Sequence, residues 1–204
     1  YLEKHYGLLD SNICQWGNEF LKGRLLHRFE DRIRFRVNKF GNKEVWILNK
    51  IDENDKVVGL QIKNLDFGTK YSTKTFSVIL EEMKRDVTYP DNPVFIEKLA
   101  TLSIIFNLFN VDIEKEVTVF EGPFDSFFVP NSVATAGASK LKNFFDGLDN
   151  IRYWYDNDST GKNSAIEKIK SKNKCFLWKR FFKKSSLKNK RIKDLNELVV
   201  FLYE

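Results

Sequence analysis

The chain has 204 residues, enough for one substantial core or two small domains. Hydrophobic residues make up 42% and charged residues 30%, the balance of a globular protein; the apolar run Leu102–Phe109 is too short to cross a bilayer and is broken by Asn107. The net charge of +6 is unevenly laid out, because Lys168 to Lys193 holds twelve Lys/Arg and no Asp or Glu; 34 less 12 leaves 22 basic residues against 28 acidic ones. Such a run reads either as a solvated face or as a surface for a polyanion. Cys14 and Cys175 stand far apart, with no C-x-x-C and no His beside them, which argues against a zinc site and for a reducing compartment. His5 and His27 lie outside any catalytic spacing and read as structural or surface residues.

In chain order, the stretch "DRIRFRVNKFGNKEVWILNKIDENDKVVGLQIKNL" alternates hydrophobic runs with turn signals at Phe40-Gly41-Asn42 and Asp52–Asp55, a pattern of antiparallel strands. Phe76–Asp86 has helical periodicity. "NPVFIEKLATLSIIFNLF" places Val94, Phe95, Leu99, Leu102, Ile105, Phe106 and Phe109 largely on one helical face, with an Asn-Pro start. From Glu116 strands alternate with helices: "VTVF" then a short helix from Pro123; "SVATAG" then helix "SKLKNFFDGL"; "IRYWYD" then helix "GKNSAIEKIKSK"; "CFLWKRFF" then helix "DLNELVVFLY". That alternation predicts a parallel sheet covered on its faces.

Three acidic groups fall at the ends of these predicted elements, where ligands collect in open parallel sheets. Glu121 follows the first strand directly, with Gly122 and Pro123 beside it. Asp156 and Asp158 are two apart, so in extended chain they point the same way. Asp194 opens the last helix. Carboxylates gathered without His or Cys call for a hard cation, Mg²⁺ or Mn²⁺, which shares its sphere with phosphates. Each group also has a plain structural reading. Asp125 favourably meets a helix dipole, Asp194 with Glu197 forms a capping-box pattern, and Asp158 with Ser159 suits a turn and N-cap.

"VTVFEGPFD", "YWYDNDSTG" and "KDLNEL" resemble the three acidic motifs of the Toprim domain, and "EGPFDSFFVPNSVATAG" looks most like the DNA primases of tailed bacteriophages, relatives of the bacterial replicative primases. "RIRF", "GLQIKNL" and "TKYST" are similar to the stretch that precedes Toprim in primases. The resemblance implies an α/β fold, with a Toprim-type parallel sheet and flanking helices at 114–204, preceded by a smaller mixed α+β subdomain at 1–113. It implies metal-dependent synthesis of short RNA primers on single-stranded DNA, by a nucleotidyltransferase using Mg²⁺ or Mn²⁺. Glu121, Asp156 and Asp158 would be catalytic and hold the metal, supported by Asp125 and Asp194. Arg32, Lys63, Lys70, Tyr71, Lys74, Gly161 and Lys162 would face nucleotide or nucleic acid; Lys63 departs from the family's usual Arg and lacks its planar two-point contact. The partners implied are single-stranded DNA, ribonucleoside triphosphates and a replicative helicase, with no membrane, in the cytoplasm of a bacterial host cell infected by a virus. A Toprim nuclease and a non-catalytic nucleic-acid-binding module are the competing readings.

Overall fold

In a computed structural model the described residues are 6–66, 73–78, 93–135, 144–187 and 191–204. The chain divides into two compact units, Tyr1–Asn110 and Val111–Glu204.

The first unit is built on an antiparallel sheet of order β1-β2-β3-β4, from Ile33–Val37, Lys43–Ile51, Lys56–Asn64 and Thr73–Ser77. In β1 the alternation buries Ile33 and Phe35 and turns Arg34 and Arg36 the other way. β2 is central and is buried from Val45 to Lys50, so both its faces are covered. Helix α1 (Gln15–Gly23) meets Phe35 through Gly17, where a Cβ would lie 2.6 Å from the ring, and through Trp16, whose ring stands edge-on at 5.2 Å. Leu8, Trp46, Leu48, Leu60 and Val78 form a further buried cluster.

Helix α2 (Pro93–Ile104) is fastened to this sheet by its carboxyl end. Asn49 Nδ2 donates to the Ser103 and Ile105 carbonyls at 2.7 and 2.9 Å, and its Oδ1 accepts from the Asn107 N–H at 2.8 Å. These bonds use the carbonyls that a helix end leaves without partners. Asn107 has φ 64°, a left-handed conformation that asparagine tolerates well. The predicted helix from Phe76 is corrected here: Phe76 and Ser77 belong to β4, with Phe76 registered against Leu60, and the remainder lies mostly outside the described residues.

The second unit carries the parallel sheet, of order β6-β5-β7-β8, from Val117–Phe120 (β5), Ser132–Ala134 (β6), Ile151–Trp154 (β7) and Lys174–Cys175 (β8). Every residue of β5 is buried, as a central strand covered on both faces requires. Its helices are α3 (Pro123–Ser126), α4 (Ser159–Lys170), α5 (Trp178–Lys184) and α6 (Leu195–Tyr203). The α/β architecture expected from the sequence, a parallel sheet with flanking helices after an antiparallel one, is the architecture found.

Two local expectations fail. "CFLWKRFF" is not one strand: only its Cys175 is in β8, and Trp178–Lys184 is helical. Trp178, Phe181 and Phe182 stand at i, i+3 and i+4, so the helical period brings their rings together, with centroids 5.5–6.2 Å apart. Of the predicted helix "SKLKNFFDGL", the described Phe144–Gly147 is a turn, closed by Gly147 at φ 89°.

The basic run is also less uniform than its composition implies. Lys168 shares the inner stripe of α4 with Gly161, Ser164 and Ala165 and is 3% exposed. Its ammonium pairs with Asp146, which also accepts from the Tyr153 hydroxyl at 2.9 Å, and lies 4.8 Å from the Tyr153 ring centre.

In the first unit β3 and the end of α2 come close at Gly59, where a Cβ would fall 2.0 Å from the Ser103 carbonyl oxygen. That oxygen belongs to backbone and cannot swing aside. Gly59→Ala should therefore destabilise the fold by about 1–3 kcal/mol, seen as a lower urea midpoint at unchanged slope.

Candidate active site

The order of the parallel sheet creates a crevice. From β5 the chain crosses to β6 on one side, then returns to lay β7 on the other side of β5, and continues outward to β8. Connections therefore leave β5 and β7 in opposite directions, and the gap beyond their carboxyl ends is the place where open α/β sheets receive ligands. Glu121 is the first residue past β5, and Asp156 is the second past β7. Phe120 and Trp154, the last residues of those strands, are register partners. The crevice thus has an acid on each wall.

These acids feel one another. Burial, and then the nearby Asp156 and Asp158 charges, push the Glu121 carboxyl above its ordinary range, while the Asp156 backbone N–H partly offsets the rise. Asp156 is raised too, mainly by burial and further by Asp194 and Asp158, with the Lys193 ammonium acting against them. Lys193 Nζ lies 3.6 Å from Asp156 Oδ2, so the segment ahead of the last helix delivers a positive charge to the cluster. Glu121 Oε1 is buried and has no hydrogen-bond partner. An anionic oxygen left bare in this way is unfavourable in isolation and suits a cation.

Asp158 is the N-cap of α4, its Oδ1 accepting from the Gly161 N–H at 2.8 Å. The helix starts at Ser159, two residues earlier than the sequence indicates, so the Gly161 N–H lies in its first turn and is engaged by Asp158. Gly161 has a different duty: a Cβ there would lie 2.1 Å from the Asp156 carbonyl oxygen, so glycine lets α4 close against the acidic loop. Lys162 is exposed beside it. The loop is tied from its far side as well, by Asn157 N–H to Lys193 O at 2.5 Å and Asn157 Nδ2 to Ile192 O at 2.8 Å.

Asp125 and Asp194 both serve helix α6. Asp194 Oδ1 accepts from the Glu197 N–H at 2.8 Å, and Glu197 Oε2 accepts from the Lys193 N–H at 2.7 Å, a reciprocal arrangement of the capping-box type. Asp125, 7% exposed, accepts from the Asn196 N–H at 2.9 Å across 71 positions of sequence. Among the described residues no three His, Cys, Asp or Glu side chains are grouped so as to hold a metal ion. What the crevice offers is a pair, Glu121 and Asp156, with Asp158 nearby. A pair fits Mg²⁺, which keeps several waters and commonly takes only one or two carboxylates.

The basic candidates of the first unit do not form one group. Arg32 is ion-paired with Asp52, and its Nη1 is buried without a partner. Lys63 on β3 is registered with Val45, whereas Lys74 on β4 is registered with Ile62, so the two lysines take opposite faces of the sheet. Lys70 and Tyr71 lie outside the described residues. Lys193 was not singled out in the sequence, although it immediately precedes Asp194 and ends the basic run.

No family model matches this chain, and no curated protein matches it. Among solved structures it is similar to the zinc-binding and RNA polymerase domains of the Aquifex aeolicus primase, at 18% identity and a TM-score of 0.39, over 78% of this chain and 40% of that one. It is also similar to the primase fragment of the bacteriophage T7 primase-helicase protein, at 16% identity and a TM-score of 0.46, over 91% of this chain and 66% of that one. The chain thus spans about two fifths of the length of the Aquifex chain.

The raised Glu121 carboxyl has a consequence for stability. Because the folded chain holds that proton to higher pH than the unfolded chain does, stability is lost as pH rises through the elevated titration range. Glu121→Gln should accordingly melt higher than the parent at neutral pH without divalent metal. The gap should close below about pH 4, where the carboxyl is protonated in both states.

Proposed function

We propose that the chain is the catalytic core of a Toprim-type DNA primase, which joins ribonucleotides into short primers on a single-stranded DNA template. The observation that carries this reading is the pairing of Glu121 and Asp156 across the β5–β7 crevice, with one Glu121 oxygen buried and bare. The three acidic motifs that resemble Toprim supply both residues, and the third motif supplies the neighbouring Lys193-Asp194 segment.

Glu121 and Asp156 would hold Mg²⁺ or Mn²⁺, with Asp158 adding negative charge from its capping position. The ion supplies positive charge to a triphosphate and favours an attacking hydroxyl. The protein's own contribution is positioning. Gly161 and Asn157 fix the Asp156 loop between α4 and the segment before α6, so the Asp156 carboxylate is held in place when charge develops. Asp125 and Asp194 anchor α6 and thereby hold Lys193 at the crevice. Single-stranded DNA and ribonucleoside triphosphates are the substrates, and a replicative helicase is the partner expected during replication.

The test is a primer assay with single-stranded DNA, ribonucleoside triphosphates and Mg²⁺, run with and without a pre-annealed RNA primer, beside a DNA-degradation assay. RNA synthesis is expected, reduced by about a hundredfold or more in Asp156→Ala, with DNA binding largely retained. Degradation without synthesis would mark the nuclease, and DNA binding with neither activity would mark a non-catalytic module.

A direct measure of the metal is thermal denaturation. Mg²⁺ at a hundred times its Kd should add about 2.7 kcal/mol of stability, and this gain should vanish in Glu121→Gln and Asp156→Asn.

A further inference from the structure

Beside the crevice, between α4 and α5, is a cavity of about 550 Å³ that the candidate active site does not account for. Its floor is apolar, made by Ala165 and Ile166 of α4 and by Phe176, Leu177 and Trp178 at the start of α5. The floor is rigid. Trp178 Nε1 donates to the Tyr155 carbonyl at 2.8 Å, and the Trp178 ring lies nearly parallel to that of Phe182, with centroids 5.6 Å apart. It is also open to water, since Ile166 is 51% exposed and Leu177 40%.

Four cations stand around it: Lys162, Lys179, Arg180 and Lys183. All four are exposed, and none has an ion-pair partner among the described residues, unlike Lys168 and Lys193, the two ends of the basic run that supplies three of them. Like charges gathered at the rim of an apolar floor repel one another and leave hydrophobic area wet. Both costs are relieved by one kind of ligand, an anion that carries flat rings.

We propose that this cavity is a seat for single-stranded DNA, with bases laid on the open floor at Ile166, Phe176 and Leu177, which the buried Trp178 supports from beneath, and backbone phosphates on Lys162, Lys179, Arg180 and Lys183. The open floor decides between a strand and a free nucleotide. Small ligands are usually enclosed over most of their surface, whereas a strand passing along a groove needs only a stacking platform flanked by cations. Asp156 and Tyr155 line the same cavity, so a strand seated here runs directly to the crevice between β5 and β7. The identity of the strand as a template rests on the primase reading; the seat itself rests on charge and shape.

The test is fluorescence anisotropy of the full chain with a dye-labelled oligothymidylate, over a range of salt, in chelator and without ribonucleotides. The double variant Lys179→Ala/Lys183→Ala should bind about tenfold more weakly at moderate salt, with the log–log salt slope reduced by about 1.4, or 0.7 for each phosphate no longer neutralised. Lys179→Arg/Lys183→Arg should keep parental binding. Ile166→Glu, which places an anion on an already exposed position of the floor, should weaken binding at least as much without altering the melting temperature. Lys170→Ala/Lys172→Ala, also in the basic run but outside the cavity, should stay within twofold of the parent.

Equal losses from both lysine pairs would overturn the proposal, because binding would then follow net charge and not the cavity. Unchanged binding in Ile166→Glu, or full displacement of the oligonucleotide by ATP alone, would overturn it as well. With metal and ribonucleotides left out, failure here leaves the primase reading standing. Retained oligonucleotide binding in a chain that makes no primers separates the opposite case.

Discussion

Two carboxylates, Glu121 and Asp156, face one crevice in a partly buried setting, and most of the second unit serves to keep them there. Left to themselves they would separate or take up a proton, and the upward displacement of both groups records that cost. The sheet resists separation because β5 and β7 are hydrogen-bonded neighbours whose ends cannot drift apart. The chain reversal then leaves the space beyond those ends clear of connecting backbone. The Lys193 ammonium reduces the repulsion without filling the bare Glu121 oxygen.

Around this pair the fold applies two kinds of polar residue. Asp125, Asp158, Asp194 and Glu197 satisfy backbone N–H groups at helix starts, which is why they can carry negative charge close to one another. Neither Glu121 nor Asp156 caps a helix: Glu121 takes the Asp156 backbone N–H within the crevice and keeps its other oxygen bare. The distinction separates acids that build the unit from acids left available for chemistry, and it cuts across the first two sequence motifs, each of which contains both kinds, whereas both acids of the third serve the start of α6. The same economy governs the basic run: Lys168 at one end is consumed by Asp146, Lys193 at the other by Asp156, and Lys179, Arg180 and Lys183 between them border the wet cavity.

How much of this was legible in the sequence depended on how local the signal was. The β1–β2–β3 meander announced itself through alternation and tight turns, and the strand-then-acid pattern after β5 and β7 through abrupt changes of residue type. Helix α5 was missed because Phe and Trp are enriched in strands; the i, i+3, i+4 spacing of Trp178, Phe181 and Phe182 was the better guide. Phe76 was assigned to a helix by periodicity alone, whereas its pairing with Leu60 is a tertiary fact that no local window contains. Lys168 was counted with the surface charges although its spacing from Gly161 and Ala165 placed it on the inner face of α4. The partner that makes its burial tolerable, Asp146, comes from a separate turn, and that pairing is not visible in composition.

The link from Asn157 to Lys193 runs from peptide to peptide. A strut of main-chain atoms is indifferent to the side chains it joins; of the twenty residues only proline, which has no N–H to give, would remove it from position 157. The spacing between the second and third acidic motifs is therefore secured in part by main-chain atoms that mutation can scarcely reach, whatever side chain stands at position 157.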